Sequence, residues 1–146
     1  MIAPVLVVLG VLVAATGLGL WWRSRNGAYR AVVPDDAHRL LPAQTGTAPG
    51  SRLTFVQFSS EVCHPCRQTA RVLSTLAARE SGVVHTELDV DEHPELVREL
   101  NVLRTPTVFA LDPEGHIVGR FSGSVTTAQA RATLDAASAP AAAPAA

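Results

Sequence analysis

The 146-residue sequence contains no lysine; all twelve of its basic residues are arginine. Schiff-base and other lysine chemistry is excluded by that absence alone. Charge is scarce as well: 17% of residues are charged and the net charge is −1, so nothing electrostatic calls for a nucleic-acid partner. Cysteine occurs only at Cys63 and Cys66. A structural zinc site needs four ligands, and a second cysteine pair is missing. His64, His85, His93 and His116 are scattered at no metal-binding spacing, and each reads as a solvated or turn residue, so no metal site is expected. Internal repeats are also lacking. With 47% hydrophobic residues, the chain can bury one modest core in one domain.

What the sequence does have is a long apolar start. Ile2 to Trp22 is a run of twenty-one residues without a charge. As a helix it would be about 32 Å long, enough to cross a hydrocarbon layer of about 30 Å. The pair Trp21-Trp22 followed by Arg23 and Arg25 matches an interfacial belt with its charged stop. A cleaved signal peptide would have a basic residue before a shorter apolar run and a convincing small-x-small cleavage site, whereas here no basic residue precedes the run, the run is too long, and no convincing site precedes the arginines. Residues 2–22 are therefore expected to be a retained, single-pass transmembrane helix. Arg23, Arg25 and Arg30 all follow the span, which places the rest of the chain on the cytoplasmic face. An extracytoplasmic domain, the setting in which disulfides persist, stays open.

Residues 23–51 are rich in turn formers and read as a linker and the start of the domain. Ala28 to Val33 is a possible short strand, and Asp35 or Asp36 a possible cap for a short helix through Leu41. Regular structure is expected from Arg52 to Phe58, a β-branched and aromatic run suited to a buried strand. Ala70, Leu73, Leu76 and Ala77 then fall at helical spacing, stopping near Ser81-Gly82. A second strand follows over 83–90, and a helix opened by Pro94 runs to Leu100. Thr107 to Leu111 and His116 to Phe121 form a hairpin around Asp112-Pro113-Glu114-Gly115. A last helix is capped by Thr126 or Thr127 and runs to about Ser138, and residues 139–146 form a disordered Ala/Pro tail. This order predicts an α/β domain over 52–138, a mixed central sheet flanked by helices.

The cysteines are spaced C-x-x-C between a strand and a helix. Attachment of haem needs histidine directly after the second cysteine, and that residue is Arg67. Redox exchange needs a thiolate at Cys63 and a resolving thiol one helical turn later at Cys66. A helix N-terminus at Cys63 supplies unpaired N–H groups and a positive dipole end, which favour the thiolate. Pro65 starts such a helix without wasting a donor.

Val56 through Arg67 resembles the strand–loop–helix that carries the active site of the thioredoxin family, with proline before the second cysteine. Arg104-Thr105-Pro106-Thr107, forty residues after Cys66, resembles the family's cis-proline loop, and Gly123 matches a glycine bordering its substrate groove. The resemblance implies a thioredoxin-like fold over roughly residues 52–138. It also implies that Cys63 and Cys66 are the catalytic pair, that the redox-active disulfide serves without a cofactor, and that Thr105 and Pro106 hold an extended peptide. Val62, His64 and Pro65 belong to the same substrate-facing surface.

Three positions depart from the family. Gln57 replaces a buried aspartate beneath the second cysteine, and Glu87 stands where the family has lysine on the next strand. The acid is therefore expected to have moved to Glu87, where a buried carboxylate in apolar surroundings would titrate high and serve Cys66. Glu87 as a solvated strand residue is the other reading. Val62 replaces a tryptophan, which suggests a different partner range. His64 replaces a glycine; protonated, it would stabilise the thiolate and raise the reduction potential. The function expected is that of a membrane-anchored protein-disulfide oxidoreductase. Its partners would be protein or small-thiol disulfides and a separate electron donor or acceptor. A non-catalytic thioredoxin-like module for metal delivery or partner docking is the alternative.

Overall fold

The computed structural model of the chain describes residues 2–25, 29–31 and 39–138. Ala28, Val32 and Val33 of the expected first strand, the capping Asp35 and Asp36, and the 139–146 tail lie outside the described residues. The N-terminal run is one helix, α1 (Ile2–Arg25), long and apolar enough over Pro4–Trp21 to cross a membrane. None of that window is buried: its valines and leucines are all more than half exposed, so the chain itself offers them no core.

Among the described residues, five strands form one sheet in the order β1-β5-β4-β2-β3. These are β1 (Tyr29–Ala31), β2 (Leu53–Ser59), β3 (Val83–Asp89), β4 (Thr107–Leu111) and β5 (Ile117–Ser122). Only β2 and β3 pair in parallel; the other pairs are antiparallel. The helices are α2 (Pro42–Thr45), α3 (His64–Arg79), α4 (Pro94–Glu99) and α5 (Thr127–Ser138). The expected mixed sheet with flanking helices is thus present. Within the stretch read as linker and start of domain, Tyr29–Ala31 is already an edge strand and Leu40 is already buried. The helix expected to run through Leu41 is not formed over 39–41, because Arg39 instead bridges to His116.

Alternation along β2 builds the two sides of the core. Leu53 and Phe55 face α3 and α5, packing with Leu73, Leu76, Ala130 and Leu134, whereas Val56 and Phe58 pack with Leu96, Leu100 and Phe109 on the other side. Covered on both faces, β2 is buried nearly throughout, and its polar members Thr54 and Gln57 are buried with the apolar ones. By the same parity, Gln57 points toward α3. The buried stripe of α3 is Cys66, Thr69, Leu73 and Leu76, while Ala70 and Ala77 are only half-buried. Thr69 was hidden from a pattern of apolar residues; its Oγ1 accepts from the Val125 N–H at 3.3 Å and ties the loop after β5 to α3.

Local signals close the elements. The β4–β5 turn is held by Asp112, whose Oδ1 accepts from the Glu114 and His116 amides, and Gly115 takes φ 91°. The Thr126 amide donates to Gln129 Oε1 and the Gln129 amide to Thr126 Oγ1, a reciprocal cap at the start of α5.

Candidate active site

The C-terminal end of β2 runs through Ser59 and Ser60 into the cysteine pair. Cys63 is the N-cap of α3, and its Sγ accepts the Cys66 N–H at 3.1 Å. That amide is one of the donors a helix start leaves without an intrahelical partner, so the sulfur of Cys63 sits where negative charge is stabilised. Pro65 occupies the first turn, where the missing donor costs nothing. Cys63 and Cys66 are joined by a disulfide with Cα atoms 5.2 Å apart. Cys66 is 2% exposed and Cys63 half-buried, so the two sulfurs differ in accessibility.

Strand order brings the second motif to the first. Because β2 and β4 are neighbours, Phe58 pairs with Thr107, and the loop before β4 lies beside the residues after β2. The Thr105–Pro106 peptide is cis. Ser60 Oγ and Thr105 Oγ1 are 3.4 Å apart, linking the two loops. The Gly123 N–H donates to the Pro106 carbonyl at 2.8 Å, with φ 118° at the glycine. Thr105, Pro106 and Gly123, separated in sequence, therefore form one rim beside the disulfide. Val62, directly before Cys63, is 91% exposed, and Leu103, in the loop before the cis proline and not singled out by the sequence, is 80% exposed. Its only signal was an apolar side chain in a short loop before the proline.

Below the disulfide, Gln57 is fully buried. Its Nε2 donates to the Cys66 carbonyl at 3.0 Å and to Ser59 Oγ at 2.8 Å. Ser59 Oγ in turn donates to Glu87 Oε2 at 2.9 Å, and Gln57 Nε2 lies 3.3 Å from the same oxygen. Gln57 and Glu87 are register partners on neighbouring strands. The amide thus connects the second cysteine to the carboxylate, with Ser59 as a bridge that sequence reading did not single out. Glu87 itself is exposed, which corrects the expected apolar burial: β3 is an edge strand, and its outer residues meet solvent. Gln57 Oε1 is buried with no hydrogen-bond partner among the described residues.

His64 does not stand alone between the cysteines. Its ring nitrogens lie 3.5 Å from Arg67 Nη2 and 3.3 Å from Gln68 Nε2, along the exposed face of α3. His85, read as solvated, is half-buried with an unpartnered Nε2 among the described residues. Burial holds its imidazole below the ordinary value, and the Glu87 charge opposes this in part. Asp112, Glu114 and His116 place ligand-type atoms within 4.8 Å of one another, but the Asp112–His116 contact is part of the β4–β5 turn described above.

Comparison with known proteins agrees with this geometry. Residues 47–136 match the Thioredoxin family model. The chain is 36% identical over 77 residues to thioredoxin of Callithrix jacchus, covering 53% of this chain and 72% of that one. It is 35% identical over 77 residues to thioredoxin of Homo sapiens, with the same coverage of 53% and 72%. The X-ray structure of Fasciola hepatica thioredoxin is similar at a TM-score of 0.52 and 31% identity, covering 60% of this chain and 82% of that one. A cysteine pair in disulfide geometry on this sheet makes the chain a thiol–disulfide oxidoreductase, and by the family match and the relatives' coverage it belongs to the thioredoxin family.

Proposed function

We propose that this protein is a single-pass, membrane-anchored protein-disulfide oxidoreductase in which Cys63 attacks and Cys66 resolves. The observation that carries the assignment is the placement of Cys63 Sγ on the Cys66 N–H at the start of α3, with the more accessible sulfur first. In the reduced protein the Cys63 thiolate attacks one sulfur of a substrate disulfide; a mixed disulfide forms and the first substrate thiolate leaves. Cys66, deprotonated, attacks the Cys63 sulfur, the mixed disulfide breaks, and the second substrate thiolate leaves. Two electrons pass to the substrate, the Cys63–Cys66 disulfide closes, and a donor dithiol of another protein restores the pair by the reverse steps. Gln57 leaves no acid beneath Cys66. Glu87, joined to it through Gln57 and Ser59, accepts the proton released there. Val62, His64, Pro65, Thr105, Pro106 and Gly123 form the surface against which an extended substrate lies, with Thr105 offering its backbone.

The unburied apolar length of α1 supports its role as anchor, and the arginines after it support a domain on the cytoplasmic face. In this organisation, residues 2–22 span the membrane, 23–51 lead into the domain and 52–138 carry the catalytic machinery. Turnover of a protein disulfide by the full chain, abolished in Cys63→Ser and arrested as a stable mixed disulfide in Cys66→Ser, is the expected result. Stoichiometric metal binding without turnover would instead favour a non-catalytic module. For the membrane side, a membrane-impermeant thiol reagent should label reduced Cys63 only after lysis; labelling in intact cells would overturn the cytoplasmic assignment.

A further inference from the structure

The strand register gives the anchor an address on the domain. One row crosses the sheet at a single level: Tyr29 pairs with Phe121, Phe121 with Val108, Val108 with Gln57, and Gln57 with Glu87. β1 is antiparallel to β5, β5 to β4 and β4 to β2, so β1 starts at the end of the sheet where β2 finishes. The chain therefore enters the sheet at the end that carries the cysteine pair and the cis-proline loop. Only residues 26–28 separate the end of α1 at Arg25 from Tyr29. Four Cα–Cα steps reach at most about 15 Å. Three interstrand spacings from β1 to β2 add about 14 Å sideways.

β1 is fastened there. The Tyr29 ring lies 5.0 Å from that of Phe121, and its hydroxyl reaches the Val118 carbonyl at 3.3 Å. The ring occupies the space that a Cβ at Gly119 would need. A tether this short, ending on a strand held this way, does not let the domain roam far from the bilayer.

We infer that the active-site end of the sheet faces the membrane entered by α1, and that its substrate is a disulfide carried by an integral membrane protein just outside the bilayer. This rests on α1 being a membrane anchor. The exposed Val62 and Leu103 lie at that end and form the apolar contact for such a partner segment. The exchange step is the one already described, with the partner's disulfide as electron acceptor.

The test uses the full chain in phospholipid vesicles. A donor fluorophore is placed on Cys63 in a Cys66→Ser protein or, in a protein carrying Cys63→Ser and Cys66→Ser, on Glu114→Cys in the β4–β5 turn at the other end of the sheet; acceptor lipids carry their dye on the headgroup. The two ends of the sheet differ by about 20 Å, so transfer from position 63 should exceed that from position 114 about two-fold or more. A Gly/Ser insert of about 30 residues between Arg25 and Tyr29, with a root-mean-square reach of about 30 Å, should erase the difference. Equal transfer in the unmodified chain, or stronger transfer from position 114, overturns the orientation. In vesicles carrying the reduced chain with both cysteines free, a single-span peptide bearing a disulfide loop next to its span should be reduced at least about ten-fold faster than the same loop in solution. Equal rates overturn the membrane-protein substrate. Should the chain wash off the vesicles at alkaline pH, the anchor reading itself fails and the inference with it, an outcome distinct from correct insertion with the wrong orientation.

Discussion

Replacing Gly119 with alanine tests how firmly the entry strand is held. An alanine Cβ at that position would lie 2.3 Å from Tyr29 Cε2, 2.5 Å from its hydroxyl oxygen and 2.6 Å from Cζ, closer than any side-chain carbon is found. The β5 backbone cannot retreat, because it is paired to β4 on its other side, so the tyrosine ring has to leave. Tyr29 is 39% exposed, so about 120 Å² of a side chain of roughly 200 Å² is covered. At about 25 cal/mol per Å² that contact contributes about 3 kcal/mol. The ring pair with Phe121 adds about 1 kcal/mol. Partial relaxation lowers the sum, and Gly119→Ala is expected to weaken β1 docking by about 2–4 kcal/mol. Amide hydrogen exchange at Tyr29 and Ala31 in detergent-solubilised full chain reads this directly, since β1 can open without global unfolding. In a Tyr29→Ala background the clash is gone, and the same substitution should be neutral or stabilise by up to about 0.5–1 kcal/mol. Non-additivity of about 2 kcal/mol or more is then the signature; if the two substitutions simply add to within about 0.5 kcal/mol, the steric argument is wrong.

Three further outcomes follow from the site. Glu87→Gln should slow release of the mixed disulfide by about a hundred-fold or more, the scale of a positioned proton acceptor, and Ser59→Ala should move the rate in the same direction; an unchanged rate in stopped-flow exchange for Glu87→Gln removes it from the mechanism. The reduction potential of the pair should lie above thioredoxin's roughly −270 mV and fall in His64→Gly; equilibration with a glutathione buffer measures both, and a value at or below that figure counts against the His64 argument. Burial holds His85 below its ordinary value, so between its folded and unfolded titrations the unfolded chain binds more protons. The stability it protects is therefore complete above about pH 6.5 and declines as pH falls below it, with a slope of at most about 1.4 kcal/mol per pH unit. His85→Phe should flatten that limb of a urea-midpoint profile, and an unchanged profile would show that other groups set it.

Much of this protein is determined within short stretches of its sequence. The turn at Asp112–Gly115, the start of α3 at Cys63, the first turns at Pro65 and Pro94 and the cap at Thr126 each depend on groups a few residues apart, and those signals placed the elements close to where they are found. The cysteine spacing likewise carries its chemistry locally, through a helix end and a sulfur. What only tertiary structure decides is which distant residues share a surface. Glu87 lies thirty positions from Gln57, yet strand register brings them together, and an edge position leaves exposed a carboxylate expected to be buried. His85 loses solvent at one nitrogen for a reason no periodicity contains, the packing on its face of the sheet. Ala28 to Val33 could be read as a short strand, but only pairing with β5 some ninety positions later decides that Tyr29–Ala31 lies at that edge of the sheet and that the chain enters it at the active-site end. Such pairings depend on which strand edges remain unfilled once the core has closed, and that is a property of the assembled sheet rather than of any stretch within it.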